Sequence, residues 1–210
     1  MSDCVCKTAC MNRSYEKLKA IIRAVSNPVI LLAGSRKVPS NHWKKLTDTA
    51  SFLAREFPQA VFRSGNAEGS DALFAQGINA IDPARLQLIT PTKGHRKAQR
   101  HPVNYAIGLE TVSAVHEETL AYHTNAATPK NARIIDKRNE IPQLKSKARY
   151  LLRDTLMVLG DTENNLAPAT VGLFFVDGDP LAGGTGHTIR VCQQNQIPVF
   201  LPKDWWQWSV

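Results

Sequence analysis

The amino-acid sequence predicts an α/β domain: a doubly wound, mainly parallel sheet of about five strands with a basic, largely helical insertion. Three observations point there. Short unbroken apolar runs alternate with amphipathic stretches of helical spacing. Three strand-to-helix connections are short and rich in glycine and hydroxyl residues. No apolar stretch approaches the ~20 residues of a membrane span, and 43% apolar with 21% charged residues is the balance of a globular chain.

The core begins at NPVILLAGSRKVPS, where Val29 to Ala33 is an unbroken apolar run ending at Gly34, as in a central parallel strand. Ser40 is placed to cap the next helix. Trp43, Leu46, Ala50, Leu53 and Phe57 form its apolar stripe, and Pro58 stops it. QAVFRSGNAEGSDALFAQGINA repeats the plan, with a strand over about 60–64, a loop through Gly69 and a helix from Ser70 or Asp71. RLQLITP gives a third strand over about 86–91, so the order is β-α-β-α-β.

After Pro91 the pattern loosens. TKGHRKAQRHPVN reads as a basic loop, YAIGLETVSAVHEETLAYH as a helix despite Gly108, and TNAATPKNA as a loop, making 92–142 an insertion. A helix from about 142 is supported by Leu144, Ala148, Leu151, Leu152, Thr155, Leu156 and Leu159, with Gly160 as its stop and a strand over TLMVLG as the alternative. ATVGLFFV is the next buried strand, about 170–176, followed by the glycine cluster, the helix TIRVCQQNQ and the strand PVFLP. The domain proper is 28–204. Residues 1–27 form a cysteine-containing tail with a short helix, and the Trp-rich end 205–210 is expected to pack on the core.

The chain carries a net charge of +8, and Lys93 to Arg153 holds twelve Lys and Arg against five Asp and Glu. Such an excess suits a phosphorylated ligand or a polyanion as well as a plain solvated face. The polar N-terminus has no signal-peptide core, so a cytoplasmic protein without a membrane partner is expected. Cys4, Cys6 and Cys10 lack C-x-x-C spacing, Cys192 falls in a helix, and the histidines show no ligand spacing, so no metal is assigned.

The chemistry gathers at three turns. They are Gly34-Ser35-Arg36, then Ser64-Gly65-Asn66-Ala67-Glu68-Gly69-Ser70-Asp71, then Gly183-Gly184-Thr185-Gly186-His187-Thr188. In a doubly wound sheet such turns emerge at the carboxyl ends of the strands, where ligands bind. Helix N-termini offer free N–H groups and a partial positive charge, and glycine lets the backbone approach a phosphate. Arg36 adds a cation, and the hydroxyls of Ser35, Ser70, Thr185 and Thr188 add hydrogen bonds. His187 is a candidate for a phosphate or base, with a surface histidine as the plainer reading. No P-loop, G-x-G-x-x-G, H-E-x-x-H or G-x-S-x-G pattern occurs.

LLAGSR, FRSGNAEGSDALFAQG and GGTGHTIRVCQQNQIPVF together resemble the SLOG superfamily, which includes the DNA-processing protein A Rossmann domain, the "lonely guy" hydrolases and the small YspA-like proteins. The resemblance covers about 28–91 and 146–201. It implies a Rossmann-like fold that binds a nucleotide or nucleotide-derived ligand at the three turns, for sensing or sequestration, without a required cofactor. It also implies Arg153 as a site residue, with Asp154 where YspA-like chains carry Asn, and a homo-oligomer.

Two alternatives accompany that reading. One is a nucleotide N-glycosidic hydrolase. The hydrolases carry Glu in P-G-G-x-G-T-x-x-E, whereas Thr188 or Arg190 stands at that place here, so the catalytic residue is unassigned and enzymatic activity is left open. Asp71 and Asp177 are the available substitutes. The other is a single-stranded DNA-binding recombination mediator using the basic segment 93–153, which holds only Tyr105, Tyr122 and Tyr150 as stacking groups.

Overall fold

The computed structural model describes residues 2–208, with side chains from residue 13 onward. The first half of the chain runs α1 (Ser2–Arg23), β1 (Val29–Gly34), α2 (Trp43–Glu56), β2 (Val61–Ser64), α3 (Ser70–Asn79), β3 (Leu86–Thr90) and β4 (Tyr105–Gly108). The second half runs α4 (Ala114–Ala127), α5 (Ala132–Asp136), α6 (Pro142–Leu159), β5 (Val171–Phe175), α7 (Gly183–Gln194), β6 (Val199–Phe200) and α8 (Pro202–Trp205). Cys4, Cys6 and Cys10 lie outside the described side chains, and Cys192 is a buried free thiol.

The apolar runs become the centre of an all-parallel, six-stranded sheet ordered β4-β3-β2-β1-β5-β6. Successive residues of a strand face opposite ways. Ile30 and Leu32 of β1 therefore pack with α1, α2, α3 and α8, while Leu31 and Ala33 pack with α4, α6 and α7. This is the doubly wound, Rossmann-like plan. The strand order reverses between β1 and β5, so the crevice of such a sheet opens at the ends of those two strands.

The sheet has one strand more than the sequence suggests. Tyr105–Gly108 was expected to be helical, but it forms β4 beside β3, pairing Leu88 with Ala106 and Ile89 with Ile107. The tetrapeptide is too short to show a period, and its outer edge leaves Tyr105 41% exposed. The region read as an insertion therefore supplies a strand of the sheet before continuing into α4 and α5. TLMV, the alternative strand, is the last part of α6, which Gly160 ends at φ 73°.

Two smaller expectations change. Ser40 opens a 3-10 turn and makes no cap bond, so α2 starts at Trp43. Trp43 leaves the predicted stripe and stands 53% exposed, donating from its indole N–H to the Val38 carbonyl. Leu46, Ala50, Leu53 and Phe57 are buried as the spacing predicts. The C-terminal tryptophans pack: the Trp205 indole donates to the Phe174 carbonyl, and that of Trp208 to Ser14 Oγ.

Arg63 is a buried cation inside the sheet. It donates to Gln87 Oε1 on β3, to the Met157 carbonyl in the last turn of α6, and to the Ala167 carbonyl. Burial lowers its pKa to about 10, which still leaves it charged at neutral pH. The last carbonyls of a helix lack intrahelical partners, so this contact both satisfies one and ties α6 to the sheet.

Candidate functional site

A cleft of about 980 Å³ opens where the strand order reverses. The end of β1 supplies Gly34, Ser35 and Arg36, and the start of α7 supplies Gly183, Gly184 and Thr185. α6 forms a third wall, which includes Tyr150, Arg153 and Asp154.

Nine of the sixteen predicted site residues line this cleft: Gly34, Ser35, Arg36, Asp71, Arg153, Gly183, Gly184, Thr185 and Thr188. The other seven do not line it. Ser64 is fully buried, and Ser70 donates from both its amide and its hydroxyl to the Ser35 carbonyl. Gly69 packs against the carbonyls of Ser35 and Arg36, and Gly186 against the backbone of Leu181. Asn66, at φ 52°, donates its side-chain amide to the carbonyls of His95 and Arg96.

The second turn was expected to offer its amides to a phosphate. Those of Gly65 and Ala67 instead donate to Asp71 Oδ2, each at 3.2 Å. A carboxylate thus already takes the amides of that turn, and the expected cradle of three turns is reduced to the first and third, with α6 as the remaining wall. Gly65 serves a different purpose. A Cβ there would lie 1.4 Å from Arg153 Nη1 and 2.9 Å from Asp71 Oδ2, so only glycine leaves room for the guanidinium.

His187 also departs from expectation. It is fully buried below the cleft, with Nδ1 2.8 Å from Thr128 Oγ1 and Nε2 3.1 Å from Thr155 Oγ1. Burial, reinforced by the positive charge of Arg190, lowers its pKa to about 4, so it is neutral at physiological pH. It knits α7 to α6 and does not line the cleft. The sequence places it one residue from Thr188, which does line the cleft, and the roughly 100° of helix rotation between neighbouring residues separates the two fates.

The start of α7 keeps its glycines at the cleft. The glycine cluster is the first turn of the helix itself, no side chain caps it, and no acidic residue stands in that turn. The first amides of a helix lack intrahelical acceptors and carry the positive end of the dipole.

The floor holds a buried triad of charges. Arg153 is 4% exposed, and its Nε lies 3.2 Å from Asp154 Oδ1 without hydrogen-bond geometry. Its Nη1 finds only the Met157 thioether, at 3.7 Å. Burial raises the pKa of Asp71, against the opposing pull of Arg153 and of the amides of Ala67, Gly65 and Gly34. Burial also raises that of Asp154, to about 6, with Arg153 opposing and Asp71 adding to the rise. Titratable groups displaced in this way inside a cleft are candidates for a functional site.

Sequence reasoning missed Asp154 as a site residue, along with Lys37, Lys130, Lys147 and Tyr150. The signal for Lys147, Tyr150 and Asp154 was the α6 helix: positions 143, 146, 147, 150, 153 and 154 share one face. Arg36 and Arg153 both stand over the Tyr150 ring, at 5.4 and 5.6 Å from its centroid. Elsewhere in the basic segment, Arg96, Lys137 and Arg138 are engaged with Glu68, Glu140, and Glu117 and Glu118. Among the described residues no cluster of His, Cys, Asp or Glu has metal-binding geometry, and no helix is long and apolar enough to cross a membrane.

No protein-family model matches the chain, and no curated protein matches it. Among solved structures, the chain is similar to DNA processing protein A from Helicobacter pylori, described for its single-stranded DNA binding mode. The identity is 14% and the TM-score 0.46, over 87% of this chain and 67% of that one.

Proposed function

We propose that the chain binds a nucleotide or nucleotide-derived ligand, with a phosphate seated between the start of α7 and Arg153. The observation that carries this reading is the state of Arg153. A buried guanidinium with donors lacking oxygen acceptors is costly to maintain, and this one lines the cleft beside uncapped helix amides. An anionic oxygen in the cleft supplies the hydrogen-bond acceptor that both lack. The SLOG-like glycine motifs are consistent with the same placement. Calorimetric titration with AMP tests it: binding is expected, and Arg153→Met is expected to weaken it at least about tenfold. AMP binding that ignores the substitution, or no binding at millimolar AMP, refutes the reading.

A second reading has its own support in Asp154. A carboxyl with a pKa near 6 in a nucleotide cleft suits general acid–base work, which N-glycosidic hydrolysis requires and the residues at 188 and 190 cannot supply. Chromatography after incubation with AMP decides between the two. Free base that disappears with Asp154→Asn supports the hydrolase, and intact AMP supports a binding module.

A further inference from the structure

The cleft is longer than one phosphate needs. The first turns of α6 are exposed and its last turns buried, so the helix descends from the rim to the floor. From Gln143 to Asp154 it rises roughly 16 Å, and from Lys147 to Arg153 roughly 9 Å. Arg153 stands at the inner end. At the outer end are Lys147 and, from the connection after α4, Lys130, both lining the same cleft. Both lysines are exposed, and among the described residues neither belongs to an ion pair. Nearby Lys137 and Arg138, by contrast, are paired with glutamates.

We propose that Lys130 and Lys147 form a second anion subsite, and that the ligand carries two phosphate groups separated by one nucleoside. This rests on the nucleotide reading above and narrows it. The inner phosphate meets Arg153 and the α7 amides, and the outer one meets the two lysines. Two directly joined phosphates sit too close together to reach both ends, whereas an intervening nucleoside spans the gap along Tyr150. Charge sets an upper limit on the ligand. Six cations line the cleft (Arg36, Lys37, Lys130, Lys147, Arg153 and Arg190) against four carboxylates (Asp71, Asp154, Asp177 and Asp179), a net of +2. That balance suits a ligand carrying about two to three negative charges, as AMP or a 5′-phosphorylated dinucleotide does, and opposes a long polyanion lying in the same groove.

The test is calorimetric titration of the full chain with AMP, ADP and the 5′-phosphorylated dinucleotide pApA. The expected result is that pApA binds at least about tenfold tighter than AMP or ADP, and that Lys130→Ala combined with Lys147→Ala costs pApA about tenfold more than it costs AMP. Equal affinity for AMP and pApA overturns the inference, as does ADP matching pApA or an advantage that survives the double substitution. A 5′-phosphorylated adenylate octamer binding another tenfold tighter than pApA overturns it in favour of a nucleic-acid strand. If AMP binds and pApA gains nothing, only this inference fails. If neither binds, the nucleotide reading fails with it.

Discussion

Replacing Asp154 with Asn should stabilise the protein, and only at the pH where the carboxylate is charged. In the folded chain the Asp154 pKa is raised from 3.8 to about 6. A raised carboxylate pKa means that the folded state holds its proton longer than the unfolded state does. Stability is therefore greatest below pH 3.8, declines as pH rises through the folded value, and is fully reduced above about 6. At ~1.36 kcal/mol per pH unit the reduction is on the order of 3 kcal/mol. Asn mimics the neutral form and escapes it. For a chain of this size ~3 kcal/mol corresponds to a rise in Tm of roughly 6–12 °C.

The assay is thermal unfolding of both proteins between pH 4 and pH 8. His187, lowered to about 4, adds its own pH dependence to each curve, so the quantity to read is the difference between them. Near pH 4 the two should coincide, and above pH 6 the variant should melt higher. A variant that melts lower at pH 8, or a gap that does not change with pH, would refute the account of a carboxylate held charged against its surroundings. AMP affinity should rise in the same variant at neutral pH, because Arg153 is freed from a competing anion.

Other substitutions probe other parts of the argument. Gly65→Ala places a methyl where Arg153 Nη1 lies, so calorimetry should show AMP affinity falling at least about tenfold with little change in far-UV circular dichroism. Arg63→Met leaves Gln87 and two carbonyls without their donor and should cost about 3 kcal/mol in urea unfolding. His187→Ala opens a hole between α6 and α7 and should cost ~2–4 kcal/mol, while AMP affinity stays within about twofold. A larger loss of binding would return that histidine to the ligand.

The central sheet was legible because β1 and β5 are buried on both faces and therefore read as unbroken apolar runs. β4 was not, because four residues at an edge, with one side chain facing water, carry neither an apolar run nor a clear alternation. Glycine-rich turns marked the end of the sheet where the cleft opens, yet glycine serves two ends that look alike in sequence. At Gly183 and Gly184 it exposes helix amides, and at Gly65 it makes way for a side chain that arrives from a residue 88 positions later. Asp71 was visible as a charged residue beside a turn, but nothing local reveals that its carboxylate takes that turn's own amides. The cleft side of α6, with Lys147, Tyr150, Arg153 and Asp154, was present in its periodicity.

The Arg63 anchor implies that the map of mutational sensitivity and the map of ligand contact will not coincide. Arg63 and Gln87 sit in the sheet, away from the cleft, yet through the Met157 carbonyl they hold the last turn of the helix that carries Arg153 and Asp154. A selection for chains that have lost their ligand should therefore recover changes at positions 63 and 87 as readily as changes at the cleft floor.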